Sequence, residues 1–161
     1  MTATSGPLVA VCGASVATPE EGAAAEAVGR LLALRGAVVV CGGLGGVMEA
    51  ACRGAASAGG MSVGLLPGDD PDAANAHVTL TLTTGLGELR NGLIARVCAG
   101  MIAVGGAYGT LSEVAFMLRL GRPVCALGSW RVIPPGSADE DPAIHRAADP
   151  DGAVTWVMGR I

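Results

Sequence analysis

The chain contains no lysine; all ten of its basic side chains are arginines. That excludes the phosphate-gripping lysine of a P-loop and any Schiff-base chemistry built on lysine. Aromatic residues make up only 2% of the 161 positions. A core must therefore be assembled from Ala, Val, Leu, Ile and Met, and Tyr108 is the one candidate for stacking on a ligand ring. The net charge of −4 leaves no basic stripe to neutralise a nucleic-acid backbone, so no nucleic-acid partner is expected. No apolar run approaches the ~20 residues of a membrane span, so no membrane partner is expected either. The five cysteines form no CxxC pair and no zinc spacing, and His77 and His145 stand alone, so no metal site is read. Most of the cysteines sit in apolar runs and read as small buried hydrophobes. Their odd number, with no signal-peptide pattern, points to a reducing cytoplasm.

What the chain does have is glycine, 26 residues of it, gathered after short apolar runs rather than at a fixed period. Met1 to Pro7 reads as a small, polar leader. Leu8 to Gly13 is continuously apolar, as a strand buried on both faces of a parallel sheet would be. Thr18-Pro19-Glu20-Glu21 has the order of an N-cap, a first-turn proline and an acidic first turn, and the helix it opens stops at Gly36. Further strands are read at 37–41, 61–66, 77–83, 101–104 and 123–127, and helices at 47–58, 85–99 and from Leu111. Residues 129–151 are rich in proline and acid and read as an irregular excursion. Asp149-Pro150-Asp151 then caps a tail helix reaching Met158. This alternation predicts a single domain over residues 1–161, with a core at 8–127 and the excursion and tail helix at 128–161. Its fold class is α/β: a doubly wound parallel sheet (modified Rossmann fold) of about six strands with helices on both faces.

In such sheets ligands sit beyond the carboxyl ends of the strands, where both glycine-rich turns fall. The first, Gly42-Gly43-Leu44-Gly45-Gly46, misses the dinucleotide fingerprint because, counting from Gly43 as the first position, the sixth is Met48. It reads as a backbone nest able to hold one phosphate, or simply as a tight strand-to-helix turn. The second runs Gly105-Gly106-Ala107-Tyr108-Gly109-Thr110 into a helix whose free N–H groups and positive dipole end suit an anion. Thr110 is expected to cap that helix. Glu113 falls in its first turn, either as a plain dipole-stabilising acid or as a functional carboxylate. Arg90, near the start of the preceding helix, is placed at the crevice; Arg96, nearly two turns on, at the surface.

The segments CGGLGGVMEAACRGA, TGLGELRNG and GGAYGTLSE, in that order, resemble the LOG-like family of Rossmann-type nucleotide-binding proteins, long mislabelled as lysine decarboxylases. The resemblance covers roughly Leu8 to Leu127. Its best-known members are phosphoribohydrolases that cut cytokinin nucleoside 5′-monophosphates into free base and ribose 5-phosphate. The resemblance implies an active site formed by Arg90 and Glu113, with Thr110 as the phosphate-binding threonine. Asn91, Gly42, Gly43, Gly45, Gly46, Gly105, Gly106, Tyr108 and Gly109 are the accompanying phosphate- and ligand-binding candidates. Where the hydrolases read MHERK this chain reads GELRN, and the motif proline is Gly105. ELRNG and GTLSE are closer to a smaller branch, bacterial proteins similar to algal molybdenum-cofactor carriers.

The resemblance thus implies a protein that binds a phosphorylated nucleotide or pterin, with molybdenum cofactor as the candidate ligand. The alternative is a nucleoside 5′-monophosphate phosphoribohydrolase that needs no cofactor for hydrolysis. In that reaction Glu113 would stabilise the oxocarbenium-like transition state or orient water, and Arg90 would keep it ionised. The resemblance also implies a homodimer or higher homo-oligomer, and the helix from Leu111 to Leu120 carries apolar residues on more than one face.

Overall fold

The computed structural model describes residues 6–161; the first five residues of the predicted leader lie outside the described residues. The central element is one sheet of seven strands in the order β4-β3-β2-β1-β5-β6-β7, every neighbouring pair parallel. The strands are β1 (Leu8–Cys12), β2 (Val38–Cys41), β3 (Ser62–Leu66), β4 (Leu80–Thr83), β5 (Gly100–Val104), β6 (Val124–Leu127) and β7 (Ile144–Arg146). The helices are α1 (Pro19–Leu34), α2 (Val47–Ser57), α3 (Arg90–Val97), α4 (Tyr108–Arg119) and α5 (Pro150–Met158). Short 3-10 turns at Pro71–Ala73 and Gly87–Leu89 join them.

Alternation along the strands sorts the core into two layers, since successive side chains point to opposite faces. Val9 and Val11, Ile102 and Val104, and Cys125 pack with α1, α2 and α5. Ala10 and Cys12, Met101 and Ala103, and Val124 pack with α3 and α4. All five cysteines are free thiols and buried. No helix among the described residues is long and apolar enough to cross a membrane.

The local signals explain most element boundaries. Thr18 accepts from the Glu21 N–H while the Glu21 carboxylate accepts from the Thr18 N–H, a complete capping box that starts α1. Asp149 caps α5 through the Gly152 N–H at 2.7 Å. Three readings need correction. The sheet has seven strands, not about six: Ile144–Arg146 pairs beside β6 inside the stretch read as irregular. A three-residue edge strand has too little pattern to be seen. The helix read over 85–99 begins as a 3-10 turn and becomes α-helical only at Arg90. Finally, α4 starts at Tyr108, not Leu111, with Ala107 at the cap position and no side-chain cap. Thr110 lies inside the first turn rather than capping it, and Glu113 sits beyond that turn.

A contact with no sequence signal holds α1 and α2 together. A Cβ at Gly29 would lie 2.0 Å from the Ala51 carbonyl oxygen, and one at Gly54 would lie 1.9 Å from that of Glu26. Each helix uses a glycine to seat the other's backbone. In an exposed helix Gly→Ala stabilises by about 1 kcal/mol. Here the sign reverses, because overpacking a close contact costs about 1–3 kcal/mol. Gly54→Ala is expected to lower the melting temperature by several degrees in calorimetry.

Candidate functional site

The strand order reverses between β1 and β5, because the connections on one side of β1 run over one face and those on the other side over the opposite face. At that switch point the carboxyl ends of the strands open into a crevice of about 410 Å³. Its walls come from Gly13, Ala14 and Ser15 after β1, Leu44 and Met48 after β2, Pro67 after β3, Gly87, Glu88, Arg90 and Asn91 before β5, and Ala107, Gly109, Thr110 and Glu113 after β5.

Arg90 is only 7% exposed. Its Nη1 donates to the Gly42 carbonyl at 2.8 Å and to the Leu65 carbonyl, tying the guanidinium to the ends of β2 and β3. Its Nε reaches Asn91 Oδ1 at 3.3 Å. Among the described residues Nη2 has no hydrogen-bond partner. Asn91 Nδ2 in turn donates to Ser112 Oγ at 3.0 Å, and the Ser112 hydroxyl donates to the Gly109 carbonyl at 2.7 Å. This chain of bonds sets the first turn of α4 against Arg90. That turn is uncapped, so the N–H groups of Tyr108 to Thr110 have no intrahelical acceptor.

Glu113 is also 7% exposed, beside the Cys12 thiol. Burial pushes its carboxyl up to about 7, against the opposing pull of Cys12 and Arg90. The expectation that Arg90 would keep this carboxylate ionised is therefore corrected. Among the described residues the two groups form no ion pair, and loss of water outweighs the arginine's field at that separation. The same burial lowers the Arg90 pKa, with the Glu113 charge raising it back; a guanidinium stays charged regardless.

Of the candidates, Arg90, Asn91, Gly109, Thr110 and Glu113 line the crevice. Gly42 lies behind it; a Cβ there would meet Arg90 Nη1 and Nη2 at 3.1 Å, so this glycine is the seat of the arginine. Gly46 adopts φ +62°, and a Cβ would fall 2.3 Å from the Ala14 carbonyl oxygen. That oxygen also accepts the Val47 N–H at 3.0 Å, so the N-terminus of α2 is partly spent on the β1 loop. The first glycine turn, with Gly43 and Gly45, reaches the crevice only through Leu44 and the nearby Met48. Gly105 and Gly106 face a small separate hollow with Glu21, Ser129 and Trp130. Tyr108 is 80% exposed, its ring 5.6 Å from that of Trp130. It lines a side hollow with Leu89 and Phe116 that shares Glu88, Asn91 and Gly109 with the crevice.

Gly13, Ala14, Ser15, Met48 and Pro67 were not read as site residues. Their one signal is position, at the end of strands beside the switch point, and that depends on strand order.

A family model described as the SLOG cluster4 family matches residues 7–154. The chain belongs to the SLOG cluster4 family. An uncharacterized protein of Archaeoglobus fulgidus is 41% identical over 119 residues, 74% of this chain and 78% of its own. Among solved structures, the molybdenum cofactor binding protein of the phototrophic bacterium Rippkaea orientalis is 30% identical with a TM-score of 0.85 over 98% of each chain. The molybdenum cofactor carrier protein of Chlamydomonas reinhardtii is 30% identical with a TM-score of 0.80, over 95% of this SLOG cluster4 chain and 96% of its own. Both likenesses agree with the branch to which ELRNG and GTLSE pointed.

The buried Glu113 has a stability consequence. Its folded pKa lies above the unfolded value, so between about pH 4.5 and 7 the native state holds a proton that the unfolded state has lost. Stability therefore falls as pH rises through that window, by about 3 kcal/mol in full at about 1.4 kcal/mol per tenfold change in proton affinity. Glu113→Gln is expected to raise the melting temperature at pH 8 and to have no such effect at pH 4, by scanning calorimetry at both values.

Proposed function

We propose that this SLOG cluster4 protein binds a phosphorylated ligand, a pterin cofactor of the molybdenum-cofactor class or a nucleotide, and acts as its carrier. The observation that carries the reading is the crevice itself: uncapped N–H groups of α4 and the Nη2 of Arg90 beside apolar walls from Leu44, Met48 and Pro67. Donors of this kind suit a phosphate, and the apolar walls suit a flat ring; the volume lies within the ~300–1,000 Å³ range of ligand pockets. In this reading Thr110, Gly109 and Arg90 hold the phosphate, with Asn91 positioning them. The similarity to the Rippkaea and Chlamydomonas proteins, whose ligand is molybdenum cofactor, supports the choice of ligand class.

Glu113 supplies the second reading. A buried carboxyl poised at about 7 is a suitable general acid or base, which favours a phosphoribohydrolase acting on nucleoside 5′-monophosphates. Incubating the protein with a panel of monophosphates and with molybdenum cofactor separates the two. A carrier retains cofactor through gel filtration, read as molybdenum per chain, and releases no free base from any monophosphate. Base release that is lost in both Glu113→Gln and Arg90→Ala overturns the carrier reading.

Protonated Glu113 donates to an anion, whereas ionised Glu113 repels it. Phosphate-dependent thermal stabilisation is expected to weaken as pH rises through about 7, and Glu113→Gln to flatten that dependence. Arg90→Ala should weaken ligand binding at least tenfold, a loss of about 1.4 kcal/mol or more. We also place a second copy of the chain against the α3–α4 side, where Leu89 and Phe116 are 77% and 44% exposed. Sedimentation at micromolar concentration should give a dimer or a multiple of it; a strictly monomeric mass overturns this.

A further inference from the structure

One group of reactive side chains has no part in the proposed binding. Cys41, the last residue of β2, and Cys52, in the second turn of α2, stand Sγ to Sγ at 3.5 Å. Both are fully buried, enclosed by Met48, Leu44 and Val78. The Gly43 N–H donates to Cys41 Sγ at 3.3 Å. The Cys52 thiol is lowered to about 7, first by its hydrogen bond with Cys41 and against the effect of burial, with Ser62 and Asn75 adding to the lowering. Burial instead raises the thiols of Cys12, Cys98 and Cys125. Among the described residues none of those three hydrogen-bonds to another cysteine.

We propose that Cys41 and Cys52 form a redox-active pair that closes to an intramolecular disulfide on reaction with a peroxide. Leu44 and Met48 cover the pair and also line the crevice, so a water-sized oxidant has one layer of side chains to pass. Cys52, as thiolate, attacks a peroxide oxygen; the O–O bond breaks, leaving a sulfenic acid and a hydroxide that becomes water with the thiol's proton. Cys41 Sγ then attacks the sulfenic sulfur, the S–O bond breaks, and the second oxygen leaves as water with the Cys41 proton. Two thiols and one hydrogen peroxide give one disulfide and two waters, the sulfurs oxidised and the peroxide oxygens reduced. The 3.5 Å contact must shorten to about 2.05 Å. The strain of that movement falls on the 42–46 turn and the start of α2, from which Leu44 and Met48 reach the crevice.

Trypsin cleaves after Arg35 and Arg53, so both cysteines fall in the peptide 36–53. Native protein is treated with hydrogen peroxide, then denatured, alkylated and digested. The expected peptide 36–53 is lighter by two hydrogens and takes no alkyl group, while Cys12, Cys98 and Cys125 are alkylated. Dithiothreitol should restore two alkylation sites. Alkylation of all five cysteines after treatment, a bond to a different cysteine, or a bond between two chains overturns the proposal. The mapping uses the unaltered protein, so it does not depend on a buried serine variant folding.

Discussion

The arrangement depends on a reversal of winding direction in a sheet buried on both faces. Parallel strands need crossover connections, usually helical, and each right-handed crossover commits its helix to one face. From β1 the chain winds outward through β2 and β3 with α1 and α2 on one face. It then returns to the other side of β1 with α3 and α4 on the opposite face. Between β1 and β5 the loops diverge and leave space, and the crevice with the polar groups that line it follows from that parting.

Two buried ionisable groups occupy this space, and their environments differ in kind. Arg90 is compensated by carbonyl oxygens at the ends of β2 and β3, which accept its protons where the sheet's own pairing has stopped. Glu113 has only a thiol beneath it and a guanidinium out of contact, and burial outweighs both, raising its carboxyl to about 7. The result is a fixed positive charge beside a carboxyl whose charge depends on the medium. The chain has no lysine, and among the described residues neither histidine lines the crevice.

Most of the fold was legible in the residues because apolar runs, caps and glycine stops are local signals. Thr18 with Glu21, Asp149 before Pro150, and the strand at Leu8 all behave as their neighbours dictate. The start of α4 was misplaced because Thr110 is a better capping residue than Ala107, and the uncapped start cannot be told from composition. The strand at Ile144–Arg146 escaped notice because it is organised from elsewhere. Arg146 bonds to Glu140 and to the carbonyls of Ser129 and Trp130, which fastens the excursion to the sheet edge. In the site, Arg90 and Glu113 were visible through motif spacing. Ala14, Ser15 and Pro67 were not, since nothing local links residues so far apart in the chain. The electrostatic balance at Glu113 was misjudged for a related reason: a counter-charge can be named from sequence, but its distance and the loss of water cannot.

The reciprocal seating of Gly29 and Gly54 has a mechanical consequence. With each backbone lodged against the other, α1 and α2 cannot slide along or roll over one another without a clash, so they form a stiff plate on one side of the sheet. The opposite layer is joined differently, by the side-chain bonds of Asn91 and Ser112 and by α3, which is only eight residues long. On the proposed binding reading, adjustment of the crevice to a ligand falls more easily to α4 and the Trp130 segment than to the α1–α2 layer.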